Sequence, residues 1–449
     1  MPLDCLIRGG QLVLNHEIVN ADLAIEGGSI VAVEPDLRAG AREVIDATGL
    51  TIFPGVVDTH VHFNEPGRTE WEGAATGSAA LAAGGGTCYC DMPLNASPPT
   101  LDTKSFDLKR AALQRSSYVD FGLWGGLGPH NLDSLEELAD RGVVGFKAFM
   151  CHSGIDDFPS VDEESLARGM EVAARLNLPV AVHAEDETTT RELAQAAIKA
   201  GRTTIRDYLD SRPIRAEVMA IERAVALAVQ TGCSLHVVHV SSGAGARVVL
   251  EARLRGANVT CETCPHYLLL TEEDVERIGA VAKCAPPIRS AAERESLWQA
   301  LASGQIDFVA SDHSPAPWSM KESSNFFAVW GGIAGCQLLL GLLLQEGHAG
   351  RGVPLYTISQ WTSARPAARY RLQNKGQIEV GADADLVLVD LSQTVELTRD
   401  GLYDRHRLSP YIGQKRTGRV CRTMVRGRAV FADGRLMGSP AGQFIRPAA

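Results

Sequence analysis

The sequence has no long apolar run and no excess of positive charge. Its best apolar stretch, residues 338–344, is far shorter than the roughly 20 residues that span a bilayer. The net charge is −11 and no block of lysine or arginine offsets it, so the chain would repel phosphate backbones and anionic lipid. We therefore expect neither nucleic acid nor a membrane as a partner.

The cysteines lack the close spacing of a disulfide framework, because the ten of them are scattered along 449 residues. The start of the chain, Met1-Pro2-Leu3-Asp4, has neither the basic residues nor the apolar core of a secretory signal. Thiols in a cytosolic protein are normally reduced. We therefore expect a cytoplasmic protein whose cysteines mostly fill the core.

The middle of the chain alternates between short apolar runs rich in β-branched residues and longer stretches with helical spacing. The eight runs are residues 51–63, 87–92, 119–125, 142–150, 179–184, 234–240, 258–264 and 307–311. Residues 132–140, 162–176, 217–230 and 292–302 have the apolar periodicity of helices. Eight parallel strands close a barrel, so we predict an α/β fold with a TIM (β/α)8 barrel. A doubly wound open sheet is the alternative.

The two chain ends differ from this middle, since both consist of short strand-like segments separated by glycine turns. Neither end is long enough to form a stable domain alone. We predict that residues 1–52 and 378–449 pack together as one small β-sandwich domain, beside a barrel of residues 53–377.

Metal-competent side chains stand at the ends of four of the eight runs. His60 and His62 are two residues apart, so the alternation of a strand directs both imidazoles to the same side. His183, His239 and Asp312 end three other runs. Because active sites of such barrels lie at the carboxyl ends of the strands, we expect these five side chains to meet at the barrel mouth.

Lys147 lies near the end of the fourth run, in a setting apolar enough to favour a neutral amine. This matters because an ammonium group cannot bind a cation. For an isolated lysine the usual interpretation is a head group that reaches solvent or forms a salt bridge. The number of metal-competent residues nearby favours a role in the same site.

Three other motifs are interpreted as structural. His236 should face away from the histidine that ends its own strand, and no second cysteine pair accompanies Cys261-x-x-Cys264 to complete a structural zinc site. The glycines at 84–86 precede a strand and are not followed by Lys-Ser/Thr, which indicates a tight turn and not a phosphate loop.

With these residues the chain resembles the cyclic amidohydrolases, a group that holds dihydroorotases, hydantoinases, dihydropyrimidinases and allantoinases, over essentially its whole length. In that family the lysine that matches Lys147 is carboxylated by CO₂, and the carbamate bridges two divalent ions. The resemblance implies that one ion binds His60, His62, Asp312 and a carbamate oxygen. The other would bind His183, His239 and the second oxygen.

The resemblance also implies the chemistry and the assembly. A hydroxide between the two ions would attack a ring amide, and Asp312 would pass its proton to the leaving nitrogen. Zn²⁺ is the expected metal, and Co²⁺, Mn²⁺ or Ni²⁺ would also suit nitrogen and oxygen ligands. The chain is expected to form a homotetramer.

Motifs around the site favour one branch of the group. Residues 64–73, 91–95, 146–154, 311–315 and 331–335 resemble those of allantoinases, which open the ring of allantoin to give allantoate in purine catabolism. Asn64 stands where dihydroorotases carry an arginine that holds the substrate carboxylate. Dihydroorotate is therefore disfavoured as a substrate unless Arg68 or Arg289 supplies the missing charge. A buried carboxylate without a cation is costly, so a neutral ring is favoured.

His152 stands where hydantoinases and dihydropyrimidinases usually carry a tyrosine, and its imidazole N–H could stabilise an oxyanion in the same way. The resemblance marks His152 and Asp312 as catalytic, and it suggests substrate contacts from Asn64, Asn95, Cys284 and Ser314. The alternative is a hydantoinase or dihydropyrimidinase, while a dihydroorotase or a non-catalytic relative is less well supported.

Overall fold

The first 54 residues contain strands that pair mainly with one another. In the computed structural model, which describes residues 3–448, they are β1 (Leu3–Val13), β2 (Ile18–Glu26), β3 (Ser29–Glu34), β4 (Ala41–Asp46) and β5 (Thr51–Pro54). β1 pairs with β2 in antiparallel orientation and with β4 and β5 in parallel orientation. Among residues 3–448, no helix has both the length and the apolar character needed to cross a membrane.

The next strands form a closed parallel barrel. They are β6 (Val56–Val61), β7 (Gly86–Asp91), β8 (Asp120–Leu123), β9 (Gly125–Gly126), β10 (Phe146–Phe149), β11 (Val180–His183), β12 (Leu235–Val237), β13 (Val259–Thr263) and β14 (Phe308–Val309). β8 and β9 are separated by a single residue and together form one barrel strand, so the barrel has eight strands, here called staves. A bridge between Val61 and His313 joins the last stave to the first. The barrel prediction is confirmed, and the open sheet is excluded.

Helices follow the barrel strands along the chain. They are α1 (Ala74–Ala83), α2 (Thr103–Ser116), α3 (Leu135–Arg141), α4 (Glu163–Arg175), α5 (Glu187–Lys199), α6 (Ile205–Asp210), α7 (Ile214–Thr231), α8 (Gly243–Leu254), α9 (Pro265–Leu269), α10 (Glu272–Ile278), α11 (Ala291–Ala302), α12 (Leu339–Leu343), α13 (Leu355–Ser359) and α14 (Arg365–Arg369). π-helical turns continue α12 through Leu344–Ala349 and join α13 to α14 through Gln360–Ala364.

Helix α4 shows how the sequence determines these elements. The Asp162 side chain accepts a hydrogen bond from the backbone N–H of Ser165, which caps the helix start. Leu166, Met170 and Ala173 then recur at three- and four-residue spacing and form its buried face. The predicted turn at the glycines before β7 is also present, because Gly85 has a φ of 93°.

The last strands of the chain complete the sheet that the first strands begin. They are β15 (Leu386–Glu396), β16 (Lys415–Val425), β17 (Arg428–Ala432) and β18 (Arg435–Leu436). β15 pairs with β5 in antiparallel orientation, so both chain ends share one nine-stranded sheet. The predicted β-sandwich from both ends is confirmed. Its boundaries after residues 52 and 377 stay predictions, and residues 1, 2 and 449 lie outside the described part.

A buried ion cluster joins this sheet to the barrel. The ammonium of Lys375 lies 2.6 Å from a carboxylate oxygen of Asp120 at the start of β8, 2.7 Å from Asp383 and 2.8 Å from Asp385 beside β15. Arg426 also pairs with Asp120. Burial opposes the charge on Lys375, but Asp385 and Asp120 outweigh that effect and raise its pKa.

We predict that Lys375→Met will destabilise the protein by about 3–5 kcal/mol, because the variant leaves carboxylates buried without their cation. Urea denaturation followed by circular dichroism measures the change. The control is Arg42→Met, which removes an ion pair with Asp4 whose side chains are 68% and 41% exposed, and it should change stability little. Equal midpoints for Lys375→Met and wild type would contradict the prediction.

Candidate metal centre and substrate cavity

A cavity of about 460 Å³ opens where the barrel strands end. His183 is the last residue of β11, and Asp312 lies three residues beyond β14. Parallel strands place these positions at one rim of the barrel, which explains why residues far apart in sequence meet there. The predicted site residues on its wall are His60, His62, Asn95, Lys147, His152, His183, His239, Cys284, Asp312 and Ser314.

His60, His62 and Asp312 form a tight group at the base of the cavity. Their ligand atoms all lie within 4.8 Å of one another, and Nε2 of each histidine is 3.3 Å from Oδ1 of Asp312. Burial opposes the charge of Asp312, but the two histidines outweigh it and lower the pKa of its carboxyl. Two imidazoles and an ionised carboxylate form a donor set that suits a divalent transition metal.

His183 and His239 lie beside this group. Their ring centroids are 4.6 Å apart, and the His239 ring is 5.5 Å from that of His60. Burial lowers the pKa of both His183 and His239, which favours the neutral imidazole that binds metals. Nε2 of His183 already contacts Glu185 at 2.8 Å, so its Nδ1 is the nitrogen left for a ligand.

Lys147 is fully buried in the same site. Burial lowers its pKa to about 8, and Nζ lies 4.9 Å from the centroid of the Phe149 ring. Within residues 3–448, Nζ of Lys147 and Nδ1 of His239 have no hydrogen-bond partner. Buried polar atoms are seldom left unpaired. These orphaned atoms and the neutral imidazoles therefore fit a metal centre that includes Lys147.

Glu262 is a site residue that sequence reasoning missed. Its Oε1 lies 2.5 Å from Nδ1 of His60, and its Oε2 lies 3.2 Å from Nε2 of His236. The contact turns Nε2 of His60 toward Asp312, as outer-shell carboxylates do in metal sites. His236 has the structural role that was predicted. The available signal was the position of Glu262 in β13, inside the cysteine motif interpreted as structural.

Arg212 and Glu185 form a second feature that sequence reasoning missed. Arg212 lines the cavity, and its Nη2 lies 2.6 Å from Oε2 of Glu185, the oxygen that also contacts His183. Burial opposes the charge of Glu185, but Arg212 and His183 together outweigh it and lower the carboxyl pKa. Cys151, His183 and Glu185 also lie within metal-binding distance of one another, but Arg212 already partners Glu185.

His152 is at the exposed rim of the cavity, where 66% of its side chain is accessible. Its Nδ1 accepts a hydrogen bond from the backbone N–H of Gly154 at 3.0 Å. Because that nitrogen accepts, the neutral ring carries its proton on Nε2. Nε2 lies 3.9 Å from Asp156, which is beyond hydrogen-bond range. The ring can therefore offer an N–H to a ligand.

Asn64 does not join the residues on the cavity wall. It is buried, its backbone has a φ of 62°, and neither amide atom has a partner within the described residues. Arg68 pairs with Asp157, and Arg289 donates to Ser241, so neither arginine reaches the cavity. Asn64 is not among the residues that line the cavity, so its predicted contact with the substrate stays a prediction.

Comparison with known proteins places this site in a family. Residues 51–430 match the profile described as "Amidohydrolase family". The chain belongs to the amidohydrolase family. A protein named allantoinase from Solibacter usitatus is 54% identical to this amidohydrolase, over 99% of this chain and 97% of the relative. Another of the same name, from Rubrobacter xylanophilus, is 55% identical over 99% of this chain and 98% of the relative.

Solved structures agree with the family assignment. The L-hydantoinase (dihydropyrimidinase) of Arthrobacter aurescens superposes with a TM-score of 0.96 at 33% identity, covering 99% of this amidohydrolase and 100% of that chain. The dihydropyrimidinase of Brevibacillus agri superposes with a TM-score of 0.92 at 30% identity, covering 98% of each chain. The barrel and the shared sheet therefore belong to one known architecture.

We predict that Glu262→Leu will weaken divalent metal binding by about 10–100-fold, because His60 loses the carboxylate that orients it. Competition with a chromophoric chelator measures the affinity. Glu262→Gln is the matched control, since it keeps an oxygen within reach of Nδ1 of His60 and should have a smaller effect. Unchanged affinity in Glu262→Leu would show that Glu262 does not position the ligand.

Proposed function

We propose that this amidohydrolase hydrolyses the ring amide of allantoin to give allantoate. The observation that carries the proposal is the full-length similarity to proteins named allantoinase, at more than half of all positions in two of them. The cavity supports it, because every residue that the family resemblance marks as a metal ligand lines the same wall. A homotetramer and a cytoplasmic location stay predictions.

The metal centre that we propose has two parts. His60, His62 and Asp312 would hold one divalent ion, and His183 and His239 the other, with Zn²⁺ the expected metal. Lys147 would contribute one oxygen to each ion after its neutral amine adds to CO₂ and releases a proton. When bound, the metal pair would lower the pKa of a water molecule and polarise the amide carbonyl.

The protein's own side chains would bind the ring and move the proton. Asp312, whose side chain is 13% exposed toward the cavity, would accept a proton and deliver it to the leaving ring nitrogen. His152 would donate its Nε2 hydrogen to the developing oxyanion. Asn95, Cys284 and Ser314 would contact the ring and its ureido tail, because they lie on the cavity wall.

A second candidate function is hydrolysis of hydantoins or dihydropyrimidines. The high structural similarity to proteins of those names favours it. His152 in place of the usual tyrosine argues against it. An acidic ring such as dihydroorotate would need a free cation. On the described cavity wall Arg212 is already paired with Glu185, and the ammonium of Lys283 donates to three backbone carbonyls.

We predict that kcat/KM for allantoin will exceed the values for hydantoin, dihydrouracil and dihydroorotate by at least about 100-fold. A site built for a polar tail rejects rings that leave its hydrogen-bonding groups unpaired. Steady-state kinetics with the metal-loaded protein measures all four substrates. Preference for hydantoin or dihydrouracil would replace the proposal with the second candidate, and preference for dihydroorotate would refute the argument from charge.

We predict that Lys147 takes up CO₂ increasingly as pH rises toward about 8 and then levels off. The neutral amine is the reactive form, and burial lowers the pKa of Lys147 to about 8, so about one amine in ten is neutral at pH 7. An ordinary lysine is neutral about once in three thousand molecules at that pH. ¹³C NMR of metal-free protein at constant dissolved ¹³CO₂ measures the carbamate signal.

Lys147→Ala is the control for this signal and a test of its role. The variant should show no carbamate resonance, lose activity and bind less metal, with partial rescue by a small carboxylate that fits the space left. Lys104→Ala, at an exposed lysine on α2, should behave as wild type. Full activity in Lys147→Ala would exclude Lys147 as a bridging ligand.

A further inference from the structure

One wall of the cavity is an irregular segment that contains no α-helix and no β-strand. We call residues 318–332 the roof segment. It contains only two 3₁₀ turns, Trp318–Met320 and Phe326–Ala328, and supplies seven residues to the cavity wall, among them Phe327 and Trp330. Apart from the bond from the N–H of Trp330 to the carbonyl of Met320, its internal backbone bonds are short-range turns. Such a segment depends on anchors outside itself to keep one conformation.

Lys283 is the first such anchor. Its ammonium donates to the backbone carbonyls of Phe326 at 2.6 Å, Phe327 at 3.3 Å and Val329 at 2.5 Å. The same nitrogen lies 4.3 Å from the centroid of the Tyr208 ring, within cation–π range. The backbone of Lys283 adds a further bond, because its carbonyl accepts from the N–H of Gly332 at 2.8 Å.

Lys321 anchors the segment in the opposite direction. It belongs to the roof segment, and its ammonium donates to the carbonyl of Ala280 outside the segment at 3.3 Å. Its other two bonds, to the carbonyls of Trp330 at 3.0 Å and Gly332 at 2.8 Å, join the two ends of the segment. Each lysine thus has three N–H donors and three carbonyl acceptors, which saturates both ammonium groups.

Neither lysine has a carboxylate partner within residues 3–448. The charged and titratable groups that affect Lys283 are Arg212, Lys321 and Cys284, and Cys284 alone affects Lys321. Burial lowers the pKa of both lysines to about 7, with Arg212 adding to the effect at Lys283. A buried ammonium is costly without compensating bonds. The carbonyls, most of them in the roof segment, therefore provide the hydrogen bonds that hold these charges.

We propose that Lys283 and Lys321 are positioning residues that clamp the roof segment over the cavity and thereby determine how tightly substrate binds. They act through the backbone of the segment, which places Phe327 and Trp330 on the cavity wall. Lys283 also lines the cavity, but its three donors are taken by carbonyls of the segment. Neither ammonium contacts a proposed metal ligand, so the clamp affects substrate binding and leaves the metal centre intact. The kinetic part of the proposal rests on the proposed hydrolysis of allantoin, whereas the clamp itself does not.

Hydrogen–deuterium exchange of the full metal-loaded protein tests the clamp without substrate. Lys283→Met and Lys321→Met keep the aliphatic stem and remove the charge and all three donors. In both variants, peptides from residues 318–332 should exchange on the order of tenfold faster, while peptides from β10 and β11 and the bound metal stay unchanged. Lys104→Met is the matched control at an exposed lysine and should exchange as wild type.

Kinetics with allantoin tests the consequence for binding. Both Met variants should raise KM on the order of tenfold and change kcat less than about threefold. Lys283→Arg and Lys321→Arg keep a cation with several donors, and they should restore part of the protection of the roof segment and part of the lost affinity.

Unchanged exchange of the roof segment would overturn the clamp, and so would global unfolding of both Met variants, which would indicate a role in the whole fold. Faster exchange with unchanged KM would overturn the proposed effect of the clamp on substrate binding. If wild type does not turn over allantoin, the proposed function fails, and the exchange result alone then decides whether the clamp exists.

Discussion

The site depends on the burial of a basic amine among basic imidazoles. Water would protonate Lys147, whereas its buried position at the barrel mouth lowers its pKa to about 8 and keeps neighbouring histidines neutral. The neutral imidazoles of His183 and His239 and the ionised carboxylate of Asp312 can then lie close together without repulsion between like charges. The closed barrel supplies the geometry, because every stave ends at the same rim.

Much of this arrangement could be predicted from the sequence. The eight staves were recognisable because alternating short apolar runs and helical stretches leave a strong periodic signal, and His183 and Asp312 were recognisable because each ends such a run. Glu262, Arg212 and Lys283 were not found. Their roles depend on partners far away in the chain, which a single sequence does not identify, and for Glu262 the sequence offered only its position in β13. Asn64 is a different case: its motif predicted a substrate contact, its side chain is not among the residues that line the cavity, and the contact stays a prediction.

Charged groups support the two halves of the molecule in different ways. At the junction of barrel and sheet, Lys375 is surrounded by the carboxylates of Asp120, Asp383 and Asp385, so opposite charges compensate one another. At the cavity, Lys283 and Lys321 are surrounded by backbone carbonyls and have no such partner among residues 3–448. Ion pairs thus join the sheet to the barrel, whereas bonds from lysine ammonium groups to backbone carbonyls hold an irregular segment that lines the cavity.

The pairing of β5 with β15 has a consequence for how the chain is made. Pro54 lies opposite Leu386 in the sheet, so one edge of β5 has no strand to pair with until the ribosome has synthesised nearly the whole barrel. During that interval an apolar strand edge is available to other nascent chains, and unpaired edges promote aggregation. Chaperone demand during synthesis should therefore arise from the unpaired edge of β5, even though the catalytic machinery lies in the barrel.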